Sequence, residues 1–317
     1  MTLEAPPVVC LLGPTASGKT AVASELLKCL DCRLVSVDSA QVYKRMDIGS
    51  AKPSAQELLN APHALIDIRE PWQTYSAADF CEDAVAEINS AKSDGQVAVL
   101  VGGTMMYFRS LLQGLAALPA ANPQVRQQIA ERASRDGWQA VHSELATIDP
   151  LAAERIHPND PQRIQRAMEV YLLTGETISD RQKQSVARLS GDLLKVGLVP
   201  DDRAHLHQSI NLRFDTMLER GLIDEVTTLQ SCSKVHRELP SQRCVGYRQV
   251  WDYLCDELSD KQLPEKGKAA TRQLAKRQLT WMRSMKDLVM YDPQQKTAVD
   301  IASDIAKQVA TFNGNHD

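Results

Sequence analysis

A phosphate-binding pattern is the clearest chemical signal in the chain. Residues 13–20 match G-x-x-x-x-G-K-[ST], and they lie between an apolar run at residues 8–12 and a helical pattern that begins at Lys19. Glycines let successive backbone N–H groups converge, and the helix N-terminus adds partial positive charge. Lys19 supplies a cation, and Thr20 supplies a hydroxyl suited to Mg²⁺. The sequence therefore predicts a polyphosphate site at Gly13, Pro14, Thr15, Ala16, Ser17, Gly18, Lys19 and Thr20.

This pattern does not by itself indicate ATP hydrolysis. ATP-hydrolysing proteins with such a loop hold Mg²⁺ and water with an Asp that ends a second apolar strand. Here the matching run, residues 97–101, is followed by Gly102, Gly103 and Thr104 instead. The sequence therefore favours a loop that holds the pyrophosphate of a substrate, which then leaves as pyrophosphate.

An acidic residue follows the second apolar run of the chain. Asp38 ends this run, at residues 33–38, and would lie beside the phosphate loop in a doubly wound sheet. A carboxylate there can act as a general base, and on position alone it is equally a turn or helix-cap residue. Ser39 and Gln41 nearby favour a site for a polar substrate.

A cationic helix is predicted near the C-terminus. Residues 266–286 contain no Asp or Glu. On a helix, one line carries Lys268, Arg272, Lys276, Arg283 and Lys286. The opposite side carries Ala270, Leu274, Trp281, Met285 and Leu288. This pattern favours binding to a nucleic-acid backbone over a solvated face or a membrane surface.

Two smaller groups of cations have the same chemistry. Residues 243–248 combine two arginines with an aromatic and a glycine, which suits phosphate contacts and base stacking. Residues 161–166 contain a second arginine pair. Each alone is a weak signal, because an arginine pair on a helix is usually solvated. Together they offer a polyanion three places to bind.

The elements that must position these residues alternate in the pattern of an α/β protein. Strands are predicted at residues 8–12, 33–38, 64–68, 97–101, 194–199 and 288–291, with helices at 19–30 and 77–91. The fold class is α/β: a P-loop NTPase-like doubly wound parallel sheet with a helical insertion domain and a mainly helical C-terminal part. The predicted divisions are residues 1–114, 115–190 and 191–317.

Composition bounds the remaining function classes. The 317 residues carry a formal charge of -4, which taken alone argues against a nucleic-acid partner. Seven scattered cysteines are typical of a reducing compartment, and Cys29 and Cys32 lack the second pair that a zinc site needs. The longest apolar run is too short to span a bilayer, and the N-terminus lacks the basic region of a signal peptide. We expect a cytoplasmic protein that does not bind membranes.

The chain resembles the tRNA dimethylallyltransferases, also called tRNA isopentenyltransferases, over nearly its whole length. The resemblance rests on the phosphate loop, Ser36-Val-Asp-Ser39, Tyr43-Lys-Arg-Met-Asp-Ile-Gly-Ser-Ala-Lys-Pro53, Val101-Gly-Gly-Thr104, His157-Pro-Asn-Asp-Pro-Gln-Arg163, Arg243-Cys-Val-Gly-Tyr-Arg248 and Thr271-Arg-Gln-Leu-Ala-Lys-Arg-Gln-Leu-Thr-Trp281. It implies transfer of a dimethylallyl group from dimethylallyl pyrophosphate to N6 of the adenosine just 3′ of the anticodon, with release of pyrophosphate. It also implies Mg²⁺ as a cofactor, the tRNA anticodon stem-loop as the partner, and a monomer.

The resemblance also assigns roles to residues. The phosphate loop, which in the family is also described as an ATP site, would hold the donor pyrophosphate. Asp38 would accept the N6 proton, Thr104 would lie beside the substrates, and Lys19 and Arg213 would contact pyrophosphate. Segments similar to those that contact tRNA are Asp38, Ser39, Ala40, Gln41, Thr104, Arg126, Gln162, Arg163, Ile164, Gln165, Arg166, Arg243, Cys244, Val245, Gly246, Tyr247, Arg248, Lys276, Arg277, Gln278, Leu279, Thr280, Trp281, Met282 and Arg283.

Two other functions stay open at this stage. A small-molecule P-loop kinase, or an isopentenyltransferase that acts on free AMP, would use the same loop with a merely structural basic helix. An RNA-binding NTPase module would use the loop as a nucleotide switch. The acceptor and the fate of the nucleotide distinguish these from tRNA modification.

Overall fold

Two compact units make up the chain. The computed structural model describes residues 7–184, 187, 189 and 192–314. One unit comprises Met1–Arg109 with Leu189–Asp317, and the other is Ser110–Arg188. The predicted insertion, residues 115–190, covers most of the second unit.

A six-stranded parallel sheet forms the centre of the first unit. Its strands are β1 Val8–Leu12, β2 Cys32–Val37, β3 His63–Ala64, β4 Val97–Gly102, β5 Leu193–Leu198 and β6 Leu288–Tyr291. They pair in the order β3-β2-β4-β1-β5-β6, and every pair is parallel. Strands buried on both faces read as continuous apolar runs, which is why β1 and β4 were predictable. The predicted α/β class with a parallel sheet is confirmed.

Helices flank this sheet and form the second unit. In chain order they are α1 Lys19–Cys29, α2 Ala55–Asn60, α3 Ala77–Ser93, α4 Met105–Gln113, α5 Pro123–Asp136, α6 Trp138–Ile148, α7 Pro150–Arg155, α8 Pro161–Thr174, α9 Ile178–Lys183, α10 Arg203–Glu219, α11 Leu222–Gln230, α12 Tyr247–Leu254, α13 Gln262–Arg283 and α14 Ala298–Gly314. Alternate residues of β1, Val9 and Leu11, pack in one core cluster with Leu26 of α1 and Ile305 of α14. This packing anchors the helix that begins at the phosphate loop.

The third predicted strand is wrong over most of its length. Pairing stops at Ala64, because Leu65 and Asp67 have φ values of 65° and 56°, which belong to the left-handed region and not to a strand. The backbone beyond the strand pairs instead with the segment after β2, where the Ile68 and Arg69 N–H groups both donate to the Val42 carbonyl. Apolar character alone did not reveal this turn.

The buried face of α13 differs from the predicted one by roughly 80° of helix rotation. Its buried residues are Leu263, Gly267, Ala275, Gln278, Leu279 and Met282. Small residues allow α10 to approach closely: a Cβ added to Gly267 would lie 1.9 Å from the Phe214 ring. The predicted apolar face did not include Gly267, Ala275 or Gln278, whose residue types are weak signals of burial, nor the apolar Leu279 and Met282. The helix also ends at Arg283, so Met285, Lys286 and Leu288 do not lie on it.

The second unit is a group of helices with its own core. Ile129, Val141, Leu145 and Met168 lie in one buried cluster. The buried Asp149 accepts hydrogen bonds from the N–H groups of Ala152 and Ser179, both at 3.0 Å, and so joins α7 to α9. Neither unit contains, among the residues that the structure describes, a helix with the length and apolarity to cross a bilayer.

Candidate active site

The phosphate loop connects β1 to α1 in a tightly curled conformation. Ala16 and Gly18 have φ values of 64° and 84°, in the left-handed region. Turns with such residues make backbone N–H groups converge on an anion. A Cβ on Gly13 would lie 2.4 Å from Ser17 Oγ and 3.2 Å from the Leu198 carbonyl oxygen, so only glycine fits there. The loop therefore has the shape that a phosphate group requires.

Two polar groups in this loop fit an anionic ligand. The Ser17 hydroxyl is buried and has no hydrogen-bond partner within the described part of the chain. The Lys19 ammonium donates to the Gly13 carbonyl at 2.9 Å and to the Pro14 carbonyl at 2.7 Å. Buried polar groups are normally satisfied, so an orphaned hydroxyl beside a cation points to a missing polar partner. Thr20 is exposed in the first turn of α1, where its hydroxyl is accessible to a metal ion.

Lys19, Arg213 and Asp38 interact electrostatically at this loop. Burial, followed by repulsion from Arg213, lowers the pKa of Lys19 to about 7, and attraction to Asp38 opposes that change. Burial also lowers the pKa of Arg213, against the attraction of Asp38. Arg213 projects from α10, so residues distant in sequence form one charged group. Two cations held together in this way favour binding of a polyanion.

The Asp38 carboxylate has the turn role that its position allowed, and its surroundings also suit a general base. Its Oδ1 atom accepts the Ala40 N–H at 2.8 Å and the Gln41 N–H at 3.2 Å, which is the turn role. Burial raises the pKa of Asp38, and these two bonds together with Lys19 and Arg213 oppose the rise. A carboxylate with a raised pKa is a better proton acceptor, so the turn also orients a candidate general base.

The Gly102-Gly103-Thr104 turn lies beside Asp38, because β2 and β4 are neighbours. A Cβ on Gly102 would lie 2.1 Å from the Val37 carbonyl oxygen, so a side chain there would push the two strand ends apart. Thr104 Oγ1 accepts the Ser39 N–H at 3.0 Å and donates to Ser39 Oγ at 3.3 Å. The predicted site residues of β1, β2 and β4 thus meet at one edge of the sheet.

Glu225 organises two of the sequence motifs, and sequence reasoning missed it. Its carboxylate accepts the N–H groups of Asp47, Ile48 and Gly49 at 2.9, 2.8 and 3.2 Å, and the Tyr247 hydroxyl at 2.6 Å. Burial, followed by the neighbouring carboxylate, raises the pKa of Tyr247 far above its usual range. One carboxylate on α11 therefore holds together the segments around residues 47–49 and 243–248. No local sequence pattern distinguishes Glu225 from other helical acids, because an acid on a helix is usually solvated.

The expected tRNA-contacting residues of the first unit divide into exposed, half-buried and buried sets. The exposed set is Arg243, Arg248, Lys276, Arg277, Thr280 and Arg283. The buried set is Gly246, Tyr247, Gln278, Leu279 and Met282, and the half-buried set is Asp38, Ser39, Ala40, Gln41, Thr104, Cys244, Val245 and Trp281. The Tyr247 ring is fully buried, so the base stacking that its type suggested has no surface there.

The predicted cationic line on α13 is shorter than expected. Lys268 forms an ion pair with Asp215 at 2.7 Å, and Arg272 donates to Asn211 Oδ1 at 2.6 Å. Both partners belong to α10, so these two cations join helices. Lys276 and Arg283 remain exposed on that line.

Within the second unit, two expected contact residues share a buried acid. The Glu169 carboxylate is fully buried and accepts Arg126 Nε at 2.9 Å and an Arg166 N–H at 2.6 Å. Arg163 is exposed and pairs with Asp160 at 3.2 Å, and Ile164 is buried. The arginines are therefore oriented by Glu169, and their charge is partly compensated.

The family of the chain follows from a match to a family model. The model described as IPP transferase matches residues 41–285. The chain belongs to the IPP transferase family. The phosphate loop and Asp38 precede the matched segment, and solved structures cover them.

Three solved structures are similar to this chain. The full-length tRNA isopentenylpyrophosphate transferase from Bacillus halodurans is 34% identical, with 98% of each chain covered and a TM-score of 0.71. The tRNA delta(2)-isopentenylpyrophosphate transferase from Staphylococcus epidermidis is 32% identical, with 96% of this chain and 99% of that chain covered and a TM-score of 0.69. A eukaryotic dimethylallyltransferase acting on tRNA is 24% identical, with 98% and 80% covered and a TM-score of 0.80, which shows the shared fold. This IPP transferase is therefore a prenyltransferase by family.

No three His, Cys, Asp or Glu side chains among residues 7–184 and 192–314 form a cluster that could hold a metal.

Lys19 gives the affinity for a diphosphate a defined pH dependence. Its pKa is about 7 without ligand, and a bound polyanion favours the charged form, so binding above that pH takes up a proton. We expect the affinity for a monoalkyl diphosphate, measured by calorimetry, to fall by up to about tenfold per unit between about pH 7.5 and 9. The heat of binding should then vary with the ionisation enthalpy of the buffer.

The matched comparison is Lys19→Arg, whose guanidinium stays protonated over this range. Its affinity should change little with pH. An equal decline in both proteins would show that Lys19 does not titrate in this range.

Proposed function

We propose that this IPP transferase transfers a dimethylallyl group from dimethylallyl pyrophosphate to N6 of the adenosine immediately 3′ of the anticodon in tRNA. The observation that supports it is a phosphate loop whose neighbouring strand, β4, leads into the Gly102-Gly103-Thr104 turn, with Asp38 beside it. This site has cations for a leaving pyrophosphate and a base for a proton, but β4 does not end in the acid that hydrolases use.

In this reaction the donor breaks its allylic carbon–oxygen bond, and the pair of electrons leaves with pyrophosphate. The loop N–H groups, Lys19 and Arg213 neutralise the charge that grows on the leaving group. The adenosine N6 lone pair forms the new bond to the allylic carbon. Asp38, half-buried and with a raised pKa, accepts the N6 proton.

The residues of the loop also fit Mg²⁺ bound with the donor. The Thr20 hydroxyl would hold the ion, and the ion would supply further positive charge to the pyrophosphate oxygens. The buried Ser17 hydroxyl, unsatisfied within the described protein, would gain a partner when the loop is filled.

The acceptor must leave its stack to reach this site. An exocyclic amine stacked in an anticodon loop is inaccessible, so we propose that the adenosine is flipped out and received near Thr104 and Asp38. The exposed Arg243, Arg248 and Lys276 would contact RNA phosphates in the first unit, and Arg126 and Arg166 in the second. RNA in the site would exclude water from the electron-deficient carbon.

We also propose that the protein is a cytoplasmic monomer.

The decisive assay offers the protein a choice of acceptors. With dimethylallyl pyrophosphate and Mg²⁺, an anticodon stem-loop with the target adenosine should gain the mass of one dimethylallyl group. A stem-loop with guanosine at that position is the matched control and should gain none. Transfer to AMP and not to RNA would overturn the proposal in favour of a small-molecule enzyme. Rapid ATP hydrolysis without an allyl donor would instead favour a nucleotide switch.

Asp38→Asn tests the general base. The amide keeps an oxygen for the Ala40 and Gln41 N–H groups but cannot take up the N6 proton. We expect single-turnover transfer to slow by about 10²- to 10⁴-fold, with RNA affinity almost unchanged. Asp224→Asn, an exposed position on α11, should keep the wild-type rate. An unaltered rate in Asp38→Asn would remove it from this role.

Lys276 and Lys268 form a matched pair for testing RNA contact. Lys276 is exposed, whereas Lys268 is paired with Asp215. We expect Lys276→Ala to lower the slope of log affinity against log salt by about 1, because one phosphate contact is lost. Lys268→Ala should leave that slope as in the wild type. Equal slopes for wild type and Lys276→Ala would mean that this lysine touches no phosphate.

A further inference from the structure

Gln278 lies on the buried face of α13 and bonds to two turns of the active site. Its Oε1 atom accepts the Thr15 N–H of the phosphate loop at 3.0 Å. Its Nε2 atom donates to the Gly103 carbonyl at 2.7 Å. Only 6% of the residue is exposed, so the amide faces the interior and not RNA, although it lies in a segment expected to contact tRNA. One side chain therefore joins the loop after β1 to the turn after β4.

The surrounding backbone is shaped to admit this amide. A Cβ on Gly103 would lie 2.6 Å from Gln278 Nε2 and 3.2 Å from the Gly13 carbonyl oxygen. Glycine at this position thus lets the phosphate loop, the second turn and the amide approach one another. A buried amide is costly unless it is hydrogen-bonded, and here both its oxygen and its nitrogen take part in hydrogen bonds.

We propose that Gln278 is a positioning residue that sets the separation of the phosphate loop and the Gly103–Thr104 turn. This role rests on the proposed function and adds a residue to it. The hydrogen bond to the amide sets the orientation of the Thr15 N–H, and this in turn sets the conformation of the loop that would bind pyrophosphate. The Gly103 carbonyl is fixed in the same way, which sets Thr104 and, through its bonds to Ser39, the turn that carries Asp38. The phosphate loop, which would bind the allyl donor, and Asp38 are thereby held at a fixed separation.

A merely structural amide would predict a loss of stability only. The positioning role predicts changes in ligand binding and rate in folded protein, because small displacements of reacting groups slow a reaction by about 10²-fold. The test compares Gln278→Met, which keeps the length of the side chain and loses both bonds, with Gln273→Met on the exposed face of the same helix.

We expect Gln278→Met to bind inorganic pyrophosphate with Mg²⁺ about tenfold more weakly and to slow single-turnover transfer by about 10²-fold, with unchanged affinity for the RNA stem-loop. Gln273→Met should match the wild type in all three measurements. The inference would be overturned if Gln278→Met had the same pyrophosphate affinity and the same transfer rate as Gln273→Met. If wild-type protein binds pyrophosphate but transfers no allyl group to RNA, the proposed function fails, and the pyrophosphate comparison still decides this inference.

Gln278→Glu supplies a test that does not depend on the Met variant folding. An ionised glutamate accepts the Thr15 N–H but places an oxygen against the Gly103 carbonyl, whereas the protonated form restores both bonds. The transfer rate of Gln278→Glu, divided by that of wild type at each pH, should rise as pH falls from about 8 to 5.5. A ratio that stays constant would show that the bond to Gly103 does not matter to the reaction.

Discussion

The burial of two cations, Lys19 and Arg213, beside Asp38 is the constraint on which the candidate active site depends. Burial is the main cause that lowers the pKa of both residues, and repulsion from Arg213 adds to the effect at Lys19. The protein offsets the repulsion only in part, with the Gly13 and Pro14 carbonyls and the Asp38 carboxylate. A bound anion would offset more of it. These cations would favour a bound pyrophosphate, and they favour the charged form of Asp38 against the effect of its burial.

Adjacent strands make this arrangement possible. The order β2-β4-β1 brings three turns to one sheet edge, and glycine at positions 13, 102 and 103 lets their backbones approach. Side chains at these positions would collide with a hydroxyl, a strand carbonyl or the Gln278 amide. Residues from α10 and α13 then complete the site from above the sheet edge. The chemistry thus depends on backbone proximity as much as on the charged side chains.

Local patterns predicted those parts of the site whose determinants are contiguous. The phosphate loop lies within residues 13–20, and Asp38 directly follows a buried strand, so motif and position were sufficient. Glu225 and the hydrogen bonds of Gln278 were not predicted, because their partners lie 178 and 263 residues away. No periodicity encodes such contacts. The prediction of the third strand was wrong for a different reason. Leu65 and Asp67 have left-handed backbone conformations, and these interrupt an apolar run that is typical of a strand.

The charge of α13 shows why composition and even helix periodicity constrain partners weakly. A whole-chain charge of -4 argued against RNA, and the acid-free segment at residues 266–286 argued for it. The structure separates the cations of that segment into two groups. Lys268 and Arg272 bind side chains of α10, whereas Lys276 and Arg283 are exposed. A cation that already has a protein partner releases fewer counterions on binding a phosphate. The quantity that bears on RNA binding is therefore the number of unpartnered cations on an exposed face, which only side-chain contacts reveal.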